Sequence, residues 1–230
     1  MMSEPGSRRG RAHDAQAARE AILNAAEAVF AEHGFDGARI DAIATLAGYN
    51  KSLIFQYFDD KLGLYAEILK RADREMAELQ AHMLTPLLAD ESVASDAQRF
   101  RTLLETMVQA VFDYFLGHPR FMRILLWEQA EGWRAYAKIA SQLSTEDVDR
   151  FGALFRTARK AGLLRSDFHP VIQLTLLVQI CQSYLAFLPL YQMLIPDEDV
   201  SSAAAVAGTR EHVITLVVAG MIVDSPQTKP

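Results

Sequence analysis

Between Gly34 and Leu64 two short runs of helical spacing are separated by a single glycine, and this feature constrains the chain more than any other. In the first run Ile40, Ile43, Ala44 and Ala47 fall on one helical face. Gly48 follows, and glycine reaches the positive φ at which a helix can end abruptly. Asn50 is then placed to cap a second helix. In that second helix Ile54 and Phe58 lie four residues apart and point inward, so a rotation of about 100° per residue carries Ser52 and Gln56 to the opposite side. Two helices joined this tightly, the second with an apolar back and a small or amide front, make a helix-turn-helix suited to the DNA major groove.

The stretch GFDGARIDAIATLAGYNKSLIFQYFDDKLGL resembles the DNA-binding end of the TetR family of transcriptional regulators. Gly34, Ile40, Ile43, Ala44, Ala47, Gly48, Asn50, Lys51, Ile54, Tyr57, Phe58, Lys61 and Leu64 stand where that family places them, without a gap. Beyond Leu64 the agreement is one of length and helical character. Two positions depart from the pattern. Where the family has Thr or Ser ahead of the first short helix, this chain has Ala38 and Arg39, so Arg39 can replace a phosphate contact without replacing the cap. Where the family has tyrosine in the recognition helix, this chain has Phe55, which lacks a hydroxyl for phosphate but can pack on sugar or a thymine methyl. On this reading Ser52 and Gln56 are the base readers. Asn50, Lys51, Tyr57, Lys61 and Arg39 position the phosphates, with Phe55 packing beside them, and Lys51 suits either task.

A chain of 230 residues, half of them apolar, accommodates a small helical domain and a larger one. The net charge of −6 argues against non-specific coating of nucleic acid, so DNA affinity has to come from where Arg8, Arg9, Arg11, Lys51 and Lys61 sit. The only cysteine, Cys181, lies in an apolar run and reads as a buried core thiol, in keeping with a reducing cytoplasm. Residues 1–13 carry three arginines and no apolar stretch, which reads as a disordered basic arm and not a secretory signal. From Phe168 to Pro196 there is no Asp, Glu, Lys or Arg, long enough to span a bilayer. Five interruptions, at Gln173, Gln179, Gln182, Gln192 and Pro189, and the absence of flanking positive charge favour a buried or interfacial helix instead.

Helices are expected from about Asp14 to His33, over the two short runs, from Lys61 to Met83 before Thr85 and Pro86, over 97–116 and over 120–136. Ser144 to Asp147 resembles a capping box for a helix that stops at Gly162, and Asp167 is placed to cap one that runs to Phe187 ahead of Pro189. A last helix begins near Ser201 or Thr209 and ends at Ile222. No strand pattern is present in the sequence. The expected organisation is the arm over 1–13, a helix-turn-helix domain over 14–65, a ligand-binding and dimerisation domain over 66–224 and a tail over 225–230. The family resemblance implies an all-α homodimer whose last two long helices pair with their symmetry mates. The apolar helix after Phe168 fits that role, because large apolar patches rarely stay exposed.

No catalytic signature and no metal-ligand spacing occurs: the six histidines do not pair on a helical face, and phosphate-loop, GxSxG and HExxH motifs are missing. No cofactor is expected. Phe121, Leu125, Trp127 and Glu128, on one helix, combine apolar groups and an acid in a way that suits a ligand pocket or, equally, an amphipathic core helix. Thr175, Gln179 and Gln182 place polar groups on an otherwise apolar helix, and buried amides need partners. Either a small-molecule effector or a symmetry-related glutamine could supply them. The expectation is a cytoplasmic, ligand-responsive regulator, a repressor, that binds a palindromic double-stranded operator as a homodimer and does not enter a membrane. The competing reading is a helical small-molecule-binding protein or enzyme that retains the motif as a structural unit.

Overall fold

The computed structural model describes residues 6–89, 92–143, 145–165 and 169–223, and within them the chain is all-α. In order the helices are α1 (Gly6–Gly37), α2 (Ile40–Ala47), α3 (Lys51–Phe58), α4 (Lys61–Leu88), α5 (Ala97–Gly117), α6 (Pro119–Ala130), α7 (Arg134–Ile139), α8 (Glu146–Lys160), α9 (Pro170–Leu194) and α10 (Ala203–Met221), with a 3-10 turn at Ala140–Gln142. An isolated antiparallel bridge joins Leu164 to Ile222.

Several helices are longer than their sequence signals suggest. α1 begins at Gly6 and not Asp14, with arginine at 8, 9 and 11 and alanine at 12 as the helix-favouring residues of the added turns; the expected disordered arm is therefore helical from Gly6 onward. Residues 1–5 of the arm and the 225–230 tail lie outside the described residues, as do the side chains of Arg8, Arg9 and Arg11. Gly34 still breaks α1, with φ 68° and ψ 178°. α4 continues past Thr85 and Pro86 to Leu88, and α9 carries Pro189 inside it and reaches Leu194. Proline removes one donor and crowds one carbonyl, and a helix otherwise held by packing can absorb that. The single helix expected over 120–136 is two: Gly132 at φ 72° and Trp133 at φ 61° end α6 and start α7. The expected caps at Ser144 and Asp167 fall on residues outside those described; the side chain that caps α9 is His169, which accepts from Val171 N.

Residues up to Arg74 and Pro119–Leu143 form one compact unit; Glu75–His118 and the described residues after Leu143 form a second. The boundary expected at 65/66 is thus displaced along α4, and α6 and α7 join the N-terminal unit. The first unit is built on Ile22, Ala26 and Phe30 of α1, Ile43 of α2, Ile54 and Phe58 of α3 and Leu64, Tyr65 and Ile68 of α4, with Ile124 and Ile139 packed among them. Arg19 pairs with Glu67, and Arg71 pairs with Glu27 while donating to Asn24 at 2.8 Å, so α1 and α4 are tied by charge on their flank as well as by their core.

In the second unit α5 is central and packs on both α9 and α10. Phe100, Leu103, Leu104, Val108 and Phe112 are buried along it, with Phe155 of α8, Leu177 and Leu185 of α9 and Val213 and Val217 of α10. Arg210 donates to both carboxylate oxygens of Asp113, at 3.0 and 3.1 Å, and this pins α10 to α5. Cys181 is buried, and burial pushes its thiol up to about 12, well above the thiolate range of a reactive cysteine. α9 is long and apolar enough to cross a membrane by length and composition. Its inward face is Gln173, Leu177, Cys181 and Leu185, four residues apart each time, while Ile172, Leu176, Phe187, Leu190 and Met193 are exposed.

Candidate nucleic-acid interface

The turn between α2 and α3 is made by local chemistry. Gly48 sits at φ 75° and ψ 22°, and its N–H returns to the carbonyls of Ala44 and Thr45 while Tyr49 N donates to Ala44 O at 3.1 Å. Asn50 then caps α3, its Oδ1 accepting from Leu53 N at 2.9 Å. Ile54 and Phe58 are buried, and Ser52, Phe55 and Gln56 are exposed on the other side of the helix. Arg39 occupies the N-cap of α2 with an exposed side chain that makes no capping bond. Lys51 is exposed and paired with Asp41, so it has to leave that partner before it can meet a phosphate or a base. Tyr57 is half-buried with its ring edge-on to Phe58.

Lys61 is more deeply engaged. Its Nζ donates to Asp36 O at 3.3 Å and stands 4.8 Å from the centre of the Phe35 ring. Burial lowers its pKa below the ordinary lysine value, with Asp36 and Glu131 opposing that shift. The approach of α4 to α3 is unusually close: Asp60 Oδ1 accepts from Gly63 N at 2.7 Å, and a Cβ on Gly63 would come within 2.1 Å of Phe58 O. Gly63 is absent from the sequence-derived set, because its requirement comes from a contact between two helices and not from a turn.

Behind this face lies a second constellation that periodicity alone does not reveal. Glu128 of α6 is 1% exposed and has no cationic partner among the described residues; its Oε1 accepts from the Tyr65 hydroxyl at 2.7 Å and its Oε2 from Tyr136 N at 3.1 Å. Trp127 Nε1 donates to Ala31 O at 3.2 Å, which satisfies a carbonyl near the end of α1. The Trp127 ring and Glu131 also close the space beside Gly34, where a Cβ would meet them at 3.0–3.2 Å. Glu128 is four residues after buried Ile124, a spacing that places it on the core face.

The six residues expected to share a pocket are therefore divided. Phe121, Leu125, Trp127 and Glu128 belong to the first unit, where Phe121 is packed against its core; Gln179 and Gln182 belong to the second. On α9, Gln182 is buried whereas Thr175 and Gln179 are exposed, so the three do not form one buried stripe. Leu46 and Tyr49, 60% and 36% exposed beside the α2–α3 turn, are two large side chains on the candidate interface that the sequence reading omits.

Comparison with known proteins gives this architecture its family. Residues 22–68 match the model of bacterial regulatory proteins of the tetR family, and residues 101–217, half of the chain, match the tetracyclin repressor-like C-terminal domain. The chain belongs to the TetR family. Members of the TetR family are DNA-binding, ligand-responsive transcriptional regulators, and this chain is one of them. It is 29% identical over 176 residues to the HTH-type transcriptional repressor NicS of Pseudomonas putida, covering 76% of this chain and 78% of that protein. It is 34% identical over 120 residues to the HTH-type transcriptional repressor SCO4008 of Streptomyces coelicolor, covering 52% and 54%. Among solved structures, SCO4942 of Streptomyces coelicolor superposes with a TM-score of 0.61 at 26% identity, over 88% of this chain and 97% of that one. The apolar α9 lies within the matched C-terminal domain, which accounts for it as a domain helix of the TetR fold.

Proposed function

We propose that the chain is a cytoplasmic homodimeric repressor that reads a palindromic operator with α3 and releases it when a small-molecule effector binds. The observation that carries this reading is the capped α3, with Ile54 and Phe58 buried behind it and Ser52, Phe55 and Gln56 exposed in front. Ser52 and Gln56 read base edges. Phe55 packs on sugar or a thymine methyl, and Asn50, Lys51, Tyr57, Lys61 and Arg39 hold phosphates. Lys51 starts from a pairing with Asp41, which favours Ser52 and Gln56 as the primary readers. Repression accords with the functions of the two TetR relatives named above.

Dimerisation is supported by the exposed faces of α9 and α10. Ile172, Leu176 and Leu216 are 47%, 42% and 56% exposed, and beside them Gln173 is buried with its amide nitrogen lacking a partner among the described residues. A second copy covering these helices would remove apolar surface from water and supply an acceptor. Two recognition helices would then meet half-sites about 34 to 36 Å apart. Gln182, buried in the second unit, remains the expected effector or interface amide; Glu128 is already hydrogen-bonded within the first unit, which favours a structural role for it over direct ligand contact.

Fluorescence anisotropy on duplexes from the DNA beside the gene, wild-type and base-substituted, tests the reading. Gln56→Ala is expected to lose about 1–3 kcal/mol of discrimination at one base position. Lys61→Ala is expected to weaken all duplexes alike and to reduce the log–log salt slope by about 0.9. If Gln56→Ala keeps the full base preference, the assignment of α3's reading face is wrong.

A further inference from the structure

We propose that a cavity at the open end of α9 and α10 is a binding site for a small organic cation. It has a volume of about 520 Å³ and is bounded by the last turns of α9, the loop over 195–202 and the first turns of α10. Tyr184 and Tyr191, seven residues apart on one face of α9, line it with ring centroids 5.8 Å apart. Tyr184 is held in place: its ring stacks on Phe112 at 6.1 Å and its hydroxyl donates to Val200 O at 3.4 Å. The loop is held as well, Gln192 donating to Glu198 O at 2.9 Å. The aromatic wall is therefore formed before any ligand arrives.

Charge sets the class of ligand. Glu198 and Asp199 line the cavity, and no lysine or arginine does. Between Arg165 and Arg210 the chain contains neither residue, and Arg210 is occupied by Asp113. Asp199 turns its carboxylate to Ser201, accepting from its N–H and hydroxyl, while the Glu198 carboxylate makes no hydrogen bond or ion pair among the described residues. Tyrosine faces attract a cation through their quadrupole, and an uncompensated carboxylate at the rim adds to that attraction. An anionic ligand would meet both acids.

Gly208 is the independent observation. It lies inside α10, where glycine is the least favourable residue after proline, and it lines the cavity. A Cβ there would meet nothing within 4 Å, so no packing within the chain demands its absence. Its effect is to keep the cavity wall open beside the two tyrosines.

As a binding site this stands on its own geometry; as the class of effector it rests on the regulator reading above. Calorimetric titration of the whole protein, without DNA, with benzyltrimethylammonium, benzyl alcohol and benzoate tests it. Saturable binding of the cation in preference to the alcohol and the acid is expected. Glu198→Gln should weaken it about fivefold, the upper end for an exposed charge pair, and Gly208→Leu, which favours the helix, should abolish it while the circular dichroism is retained. Equal binding of all three probes, or equal affinity in wild type and Glu198→Gln, overturns the assignment. No binding by the wild type, together with a Gly208→Leu shift in sedimentation, would mean that a second copy fills the cavity, and also overturns it. A separate anisotropy titration of the operator complex with the cation addresses the effector role: unchanged operator affinity removes that role, whereas failure to bind any operator removes the regulator reading and leaves the calorimetry unaffected.

Discussion

Gly63→Ala is expected to destabilise the N-terminal unit by about 3 kcal/mol, near the top of the range for inserting a methyl into a packed site, and to abolish operator binding. The added Cβ would stand 2.1 Å from the Phe58 carbonyl oxygen, an atom of the backbone that cannot rotate away. Relief requires α3 and the start of α4 to separate, which moves Lys61 relative to Ser52 and Gln56 and breaks the bond from Gly63 N to Asp60. Thermal unfolding should show a drop of roughly 2–4 °C per kcal/mol for a chain of this size, and anisotropy should show the loss of binding. Gly37→Ala is the control, since its Cβ meets only His33 Cβ at 3.5 Å, an ordinary contact. Equal stability in the two variants would show that the α3–α4 approach is looser than described.

Tyr65→Phe is the second large effect, and it works through charge burial. Removing the hydroxyl leaves Glu128 Oε1 buried without its donor, a loss of roughly 1–3 kcal/mol. The same pair gives an alkaline signature. Burial, with the Glu128 hydrogen bond and charge adding to it, raises the Tyr65 phenol well above its ordinary value near 10. Above that value the unfolded chain releases a proton that the folded chain retains, so stability is fully present below about pH 10 and falls as pH rises beyond it. Urea midpoints of the wild type should therefore decline above pH 10, and Tyr65→Phe should decline less steeply from a lower starting point. Parallel pH profiles would mean that the hydroxyl is not held by Glu128.

The helix-turn-helix is legible in the residues because its determinants are local. Gly48 needs its own φ, Asn50 caps α3 through the N–H of Leu53 three residues on, and Ile54 and Phe58 set the buried face by spacing alone. Helix ends set by tertiary packing are less legible. Pro189 and Pro86 mark plausible stops, yet both helices run on through them. The break at Gly132 and Trp133 runs the other way, since helical spacing continues from Phe121 to Trp133 and does not show that two successive residues adopt positive φ.

The hardest feature to read is the membership of α6 and α7 in the N-terminal unit. Trp127 and Glu128 have the composition of pocket residues, and only their partners, Ala31, Tyr65 and Tyr136, are far enough along the chain to reveal a different use. Gly63 has the same character: a glycine in the first turn of α4 looks incidental until the Phe58 carbonyl is placed beside it. In α9 the polar residues at 175, 179 and 182 share a helical stripe by spacing, but the width of the buried face takes in Gln182 and leaves the other two in solvent.

The central claim, that α3 reads a palindromic operator, is tested most directly by selection from a random duplex library with the full chain, in parallel with a variant carrying both Ser52→Ala and Gln56→Ala. The wild type should enrich one inverted repeat with half-sites about one helical turn or a whole multiple apart, and the double variant should lose preference at defined positions of each half-site while retaining weak, salt-sensitive binding. Enrichment of no motif by the wild type, or of an identical motif by both proteins, would contradict the claim.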